Sequence, residues 1–295
     1  MSFRKLRRED VQPLIIRALQ EDIGSGDLTT LTLVPETSRT HARILAKAAG
    51  VLAGVPVAEW VLHTVSPAVK VTVERQDGHA VHAGQSILTL AGSTRAILTA
   101  ERTVLNLLGQ LSGIATLTRR FVDASRPYPA KILDTRKTHP GLRTLEKYAV
   151  RCGGGTSHRM GLVDAILIKT NHLKAIARGG IPRAAVINEA VHKVRQTHPG
   201  KMVEVEVANP TELAAALTAK PDVIMLDNWP LDSIRKTVLA RNAMFRRQAK
   251  MPALEVSGGI TLENVRQVAK TGVERISVGQ LTHSAPSLDV SLSIL

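Results

Sequence analysis

Between Asp134 and His172 the chain reads DTRKTHPGLRTLEKYAVRCGGGTSHRMGLVDAILIKTNH. Five cations in this stretch, Arg136, Lys137, His158, Arg159 and Lys169, stand at or just after the ends of predicted strands. Guanidinium forks match carboxylates and phosphates through two-point contacts, and an ammonium adds a compact point charge. Read as unaccompanied by nearby acids, the five imply a strongly anionic ligand. Glu206 and Asp227 end two further strands in succession. Side by side, they could hold Mg²⁺ through oxygen, directly or through water, or stabilise a developing cation. Ser257-Gly258-Gly259-Ile260-Thr261, with Gly279 and Gln280 one strand later, offers backbone N–H groups to a phosphate. The Gly153–Gly155 run is no dinucleotide fingerprint, because no strand precedes it.

Some scaffold must bring these residues together. Short apolar runs alternate with helical stretches from Lys131 onward, and each run stops at polar or glycine residues. Lys131–Leu133 leads into Asp134, Thr135, Arg136 and Lys137, and Ala165–Ile168 into Lys169. Met202–Val205 leads into Glu206, Val223–Leu226 into Asp227, Ala253–Val256 into Ser257, and Arg275–Val278 into Gly279. Strands alternating with helices predict a parallel α/β sheet, and polar strand ends are where a β/α barrel carries its chemistry. Six strands fall short of the eight strands and ~250 residues of a full barrel, so the pattern predicts an incomplete one. An open doubly wound sheet would gather its polar ends at a single switch point instead. A helix is expected over Leu262–Lys270, just after the glycine turn.

The region before this is mixed. Val11–Glu21 and Ile97–Phe121 have helical spacing, and Ala42–Lys47, Val69–Glu74 and Ser86–Leu90 read as strands. Asp77–Gly92 looks like the barrel sandwich of a lipoyl carrier, but its turn of His82, Ala83 and Gly84 has no lysine to carry a group. A compact β module is the reading. The expected division is an α+β unit over 1–113, with the tail 281–295 packing back on it, and a barrel over 114–280.

With 44% hydrophobic and 22% charged residues the composition is that of a globular protein. The longest uncharged stretch, Thr103–Thr118, is too short to span a bilayer and contains Asn106, Gln110 and Ser112. Near the start, basic residues lead only into Leu14, Ile15 and Ile16, too short for a signal-peptide core. The lone Cys152 excludes an internal disulfide framework, and a cytoplasmic protein is expected. Net charge is +14, from 39 basic and 25 acidic residues, which raises nucleic acid as a partner. Against it, Phe, Tyr and Trp number only 3, 2 and 2, and the basic residues are scattered. Those of Arg4–Arg8 and Arg241–Lys250 are expected on solvated faces.

In order along nearly the whole chain stand EDIGSGDLTT (Glu21–Thr30), ERTVLNLLGQLSGIAT (Glu101–Thr116), DTRKT-x-PGLR (Asp134–Arg143), EKYAV-x-CGGG-xx-HRMGL-x-D (Glu146–Asp164), LIK-x-NH (Leu167–His172), EVEV (Glu204–Val207), MLDN (Met225–Asn228), EVSGGIT (Glu255–Thr261) and ISVG-xx-THS (Ile276–Ser284). Taken together they resemble the quinolinate phosphoribosyltransferases, also called carboxylating nicotinate-nucleotide pyrophosphorylases. Thr170 departs from the pattern, standing where members often carry an acid. The resemblance implies an N-terminal α+β sandwich followed by a six-stranded α/β barrel. It implies transfer of phosphoribose from phosphoribosyl pyrophosphate to quinolinate with Mg²⁺, followed by decarboxylation to nicotinate mononucleotide.

On that resemblance Arg102, Arg136, His158, Arg159 and Lys169 form a cationic cup, with Thr135 beside it, and Lys137 and Lys169 face pyrophosphate. Lys137, Lys169, Glu206 and Asp227 are the catalytic set, Glu206 and Asp227 facing ribose and metal. Ser257, Gly258, Gly259, Gly279 and Gln280 take the 5-phosphate. The resemblance also implies a homodimer, or a hexamer of dimers, in which Arg102 acts on the partner's site. Two alternatives remain open at this point: a related phosphoribosyltransferase acting on another base, and a basic nucleic-acid-binding protein with a degenerate enzyme fold.

Overall fold

The structure is a computed structural model that describes residues 6–177, 179–248 and 250–295. The helices and strands fall into two compact units. One holds the residues up to Arg119 together with Lys137–Gly155 and Gln280–Leu295; the other holds Arg120–Arg136 and Thr156–Gly279. The expected boundary at residue 113 lies inside a single long helix, and the segment after Arg136 groups with the first unit.

The first unit begins with α1 (Arg8–Ile23), α2 (Leu28–Leu33), β1 (Arg39–Ala46), β2 (Gly50–Val51) and α3 (Val55–Val65). It continues through β3 (Lys70–Val73), β4 (Ala80–Val81), β5 (Ser86–Ser93) and the long α4 (Thr94–Ser125). Its antiparallel sheet runs β12-β1-β5-β3, where β12 (Val290–Ile294) is the returning chain end. Ile44, Leu88 and Leu90 on this sheet, and Ile15, Leu62 and Leu108 on helices, are completely buried or nearly so. The tail crosses α4 closely enough that a Cβ on Gly113 would overlap the Pro286 carbonyl. Asp77 ties a loop to a helix start: its carboxylate accepts from the Gly54 and Val55 N–H groups (3.0 and 2.9 Å) and from the Tyr148 hydroxyl (2.6 Å).

The second unit is built on a parallel sheet. Its strands are β6 (Lys131–Leu133), β7 (Ile166–Ile168), β8 (Val203–Val207), β9 (Val223–Asp227), β10 (Ala253–Ser257) and β11 (Arg275–Ser277). Between β6 and β7 lies α5 (Arg143–Cys152), which belongs to the first unit. Then α6 (Thr170–Ile176) and α7 (Arg183–Thr197) follow β7, α8 (Pro210–Ala219) follows β8, and α9 (Leu231–Phe245) follows β9. The remaining helices are α10 (Val265–Lys270), after β10, and α11 (Gln280–His283), after β11.

The strand order β6-β11-β10-β9-β8-β7 leaves β6 and β7 as edges, with only a Leu133–Thr156 bridge beyond β6. This is the incomplete barrel that six alternating runs predict. α8 shows how locally the sequence can set an element. Asn209 accepts from the Glu212 N–H, the Glu212 carboxylate accepts from the Ala208 N–H, and Pro210 opens the helix. Two expectations change. α10 starts at Val265, three residues later than expected, because Thr261 and Asn264 close a turn first (Thr261 N–H to Asn264 Oδ1, 2.9 Å). Arg241 is no solvated charge: it is 1% exposed, with its guanidinium on Glu274 (2.8 Å) and the Pro252 carbonyl (3.1 Å). Arg246, Arg247 and Lys250 are exposed as expected, Arg7 and Arg8 lie at the start of α1, and Arg4 and Lys5 lie outside the described residues. No helix among the described residues is long and apolar enough to cross a membrane.

Candidate active site

Side chains alternate along a strand, so register decides which of them share a face. Glu206 pairs with Met225, Met225 with Glu255, and Glu255 with Arg275. Asp227 pairs with Ser257 one step further along, and Glu204 with Val223 one step before. Glu204, Glu206, Asp227, Glu255, Ser257, Arg275 and Ser277 therefore line the same face. The opposite face carries only apolar residues, among them Val203, Val205, Val207, Ile224, Leu254 and Val256, as a helix-covered outer face does. The charged face is therefore the inner one.

His158 lies among these acids. Its Nε2 is 2.9 Å from Glu204 Oε2 and 3.3 Å from Glu255 Oε1, and its side chain is 6% exposed. Its backbone N–H donates to the buried Asp134 (2.9 Å). Glu255 is held in turn by the Arg275 Nε–H (2.5 Å) and by the Ser277 hydroxyl. Burial presses the His158 pKa down, but the two carboxylates outweigh it and lift the ring to about 9, so the imidazolium persists through neutral pH. Glu204 is pushed above the usual carboxylate range by burial and by the charge of Glu255. Glu255 is held below that range, since His158 and Arg275 overcome the cost of its burial. His158, Glu204 and Glu255 offer ligand atoms within 4.8 Å of one another, a spacing that suits a metal ion. With Arg275 already on Glu255, the group is charge-compensated without one.

The expectation that no acids accompany the five cations is thus wrong for His158. The acids arrive from strands far away in sequence. Glu204, Glu255, Arg275 and Ser277 were not singled out as site residues. Their signal was available in EVEV and EVS, where charge interrupts strands that a covered parallel sheet should fill with apolar residues.

Next to His158, Arg159 is buried and donates to the Ala165 carbonyl (3.0 Å). Burial and the neighbouring Arg136 charge both lower its pKa, which sets Arg136 and Arg159 side by side as two cations. Lys169 is exposed at the start of α6, where its N–H donates to His172 Nδ1 (2.9 Å). Glu206 lies within β8 rather than just beyond it. Its Oε1 accepts from both the backbone N–H (3.1 Å) and the hydroxyl (2.6 Å) of Thr170. Asp227 Oδ2 accepts from the Asn228 amide (3.0 Å).

Gly258 and Gly259 have φ of +89° and +60° and border a cavity of about 300 Å³, with Asn228, Trp229 and Asn264 among its walls. The delay in α10 leaves the N–H groups of the glycine turn, rather than a helix start, as the donors available to a phosphate. Thr135, Arg136, His158, Arg159, Lys169, Glu206, Asp227, Ser257, Gly258, Gly259 and Gly279 all belong to the second unit, whereas Arg102, Lys137 and Gln280 belong to the first. In the first unit, burial and then Asp77 push the Cys152 thiol up to about 12, so at neutral pH it is no nucleophile.

The chain matches the quinolinate phosphoribosyl transferase C-terminal domain over residues 114–293 and the N-terminal domain over residues 27–112. It belongs to that family. It is 43% identical over 283 residues to the carboxylating nicotinate-nucleotide pyrophosphorylase of Mycobacterium leprae, covering 95% of each chain. It is 44% identical over 276 residues to a probable enzyme of the same name from Bacillus subtilis, covering 93% of this chain and 90% of that one. The nicotinate-nucleotide pyrophosphorylase structure from Francisella tularensis superposes with a TM-score of 0.89 at 40% identity, covering 99% and 98% of the two chains. As a phosphoribosyltransferase family member, the chain has a glycine turn whose conformation can be tested. A Cβ on Gly258 would overlap the Asn228 carboxamide and would sit at a φ that L residues avoid. Gly258→Ala should therefore lose about 1–3 kcal/mol in urea unfolding, whereas Gly161→Ala, at an open position, should stay within about 0.5 kcal/mol of the parent.

Proposed function

We propose that this chain is a decarboxylating quinolinate phosphoribosyltransferase of de novo NAD synthesis. It would join quinolinate to the ribose of phosphoribosyl pyrophosphate and release pyrophosphate and CO₂. The observation that carries this reading is the adjacent pair Arg136 and Arg159, in the same unit as the imidazolium of His158. Arg136 and Arg159 are adjacent like charges, and a dicarboxylate bound there lowers the cost of holding them together.

In the forward direction the pyridine nitrogen gives its lone pair to the anomeric carbon, and the bond from that carbon to the pyrophosphate oxygen breaks. The ring nitrogen is then cationic, and the electrons of the adjacent C–CO₂⁻ bond fall back toward it as CO₂ leaves; a proton completes the mononucleotide. No covalent nucleophile is required, in keeping with a Cys152 thiol that stays neutral. Positioning and charge supply the catalysis. Glu206 and Asp227, on the inner face, meet the positive charge that develops on the ribose. Both offer hard oxygen ligands, so they fit Mg²⁺, bound directly or through water. When bound, Mg²⁺ would neutralise the pyrophosphate. Lys137 and Lys169 would face the same leaving group, and Ser257, Gly258, Gly259, Gly279 and Gln280 the 5-phosphate. We place the reaction in the cytoplasm.

We further propose a homodimer in which Arg102 completes the partner's cup. Arg102 is exposed on α4 and makes no hydrogen bond or ion pair among the described residues. Leu28, Leu31 and Leu33 on or beside α2 are 79%, 52% and 73% exposed, an apolar face that a second copy would cover.

Three experiments test these assignments. Steady-state kinetics should give quinolinate a kcat/KM at least about tenfold above nicotinate, because the cup would otherwise keep an unanswered charge. Comparable turnover of nicotinate would overturn the substrate. Thr170→Val should lower kcat about tenfold with little change in the quinolinate KM, and Thr170→Ser should restore it, since the hydroxyl aims Glu206 and does not touch the dicarboxylate. Subunit mixing tests the dimer. Arg102→Ala and Lys169→Ala proteins, each nearly inactive, should regain about a quarter of parent activity when unfolded and refolded together, because half the random dimers carry one intact site. Mixed dimers that stay inactive would show that Arg102 works within its own chain.

A further inference from the structure

We propose that Glu204 and Glu255 are positioning residues that keep the His158 ring charged and turned, so that Nδ1 alone is left to a substrate carboxylate. This rests on the quinolinate reading and extends it from the cup to the groups behind it.

Both acids are completely buried, and Nε2 lies between them at 2.9 and 3.3 Å. Neither contact has the angle of a proper hydrogen bond, and no donor among the described residues reaches either oxygen of Glu204. The attraction is therefore ionic and shared between two carboxylates. A ring held in this way can rotate away only by leaving both. Nδ1, by contrast, has no partner among the described residues. The main chain of His158 is anchored separately, its N–H donating to Asp134.

The surrounding charges favour this arrangement. Glu255 on β10 is braced by Arg275 and Ser277 on β11. Glu204 stands on β8, and Arg159, with Arg136 beside it, lies near enough to feel the Glu204 charge. Burial would drive off the imidazolium's proton if the carboxylates did not oppose it. The same carboxylates lie behind the ring, where they lower the cost of a buried cation without occupying the nitrogen that a ligand needs. Arg136 and Arg159 can each accept a carboxylate in two orientations of a planar ring. A single fixed N–H removes that choice and holds the ring nitrogen toward the ribose.

The first test is nuclear magnetic resonance of the unliganded protein with ¹⁵N-labelled histidine, assigned through His158→Gln. The His158 ring should carry protons on both nitrogens at pH 8. A deprotonated Nε2 at that pH, in a neutral ring or on a bound metal, would overturn the proposal without any reference to turnover. The second test is kinetic. In the parent enzyme the quinolinate KM should change less than about twofold between pH 6.5 and 8.5. In the Glu204→Gln/Glu255→Gln double variant it should rise about tenfold over that range, as the ring loses its proton near the ordinary histidine value. The phosphoribosyl pyrophosphate KM should not follow. Both acids are replaced because either alone would retain a carboxylate on Nε2. A folded double variant with the parent pH profile would refute the positioning role even if quinolinate remains the substrate. A parent enzyme that does not bind quinolinate would instead refute the reading on which the proposal rests. If the double variant does not fold, the resonance measurement decides alone.

Discussion

Charge on the inner face of a parallel sheet is costly unless another charge meets it there, and the second unit is organised around that requirement. Such sheets usually fill both faces with apolar residues. Here β8 and β10 carry Glu204 and Glu255 inside, and β11 carries Arg275 opposite Glu255. Alone, the two acids would repel and take up protons. Arg275 and Ser277 secure one of them, and His158, arriving from the segment before β7, stands between both. The cation that belongs to the candidate site is thus also the counter-ion that lets its strands pack. A mutation in this cluster would disturb fold and chemistry together, which is why the charge state of the ring is a better probe of its role than stability.

The same alternation aligns the two carboxylates we propose as catalytic. Glu206 lies two residues beyond Glu204, and Asp227 two beyond Met225, so all face inward at successive heights. The lower positions make the compensated cluster, and the upper ones are those we assign to substrate. Thr170 sharpens the division by engaging one oxygen of Glu206 with two donors and leaving the other. An acid in place of Thr170 would repel that carboxylate where the hydroxyl now orients it. Residue 170 thus bears on how Glu206 is aimed, although it lies outside the residues we propose as catalytic.

Much of this was legible in the residues. The six apolar runs that end in polar groups announced a barrel-like parallel sheet, and Arg136, His158, Arg159, Lys169, Glu206 and Asp227 all fall in the unit it builds. What escaped was pairing across long sequence distances. Glu204 and Glu255 lie 46 and 97 residues beyond His158 in numbering, and nothing local links them; only strand register brings them to one ring. Arg241 escaped for the same reason, since its partner Glu274 comes from the start of β11. The onset of α10 was misread because helical spacing continues backward through Leu262, while the Thr261–Asn264 turn is set by one side-chain hydrogen bond.

The cations of the site divide by burial, and the division matches what each must do. Arg159 and His158 are held by the Ala165 carbonyl and by the inner acids, so their donors are fixed before any ligand arrives. Little ordering entropy is then lost on binding, which is what selection of a flat, rigid dicarboxylate requires. Lys169 is exposed, and an exposed lysine keeps much of its rotamer freedom. Such groups are poor selectors, but they can follow a charge that moves. On the role we propose for Lys169, pyrophosphate is that charge: it begins bound to ribose and ends free, and its position changes as the bond breaks. On the proposed roles, fixed guanidinium and imidazolium groups for the acceptor, and an exposed ammonium for the leaving group, follow from the same cost of burying charge that shapes the sheet beneath them.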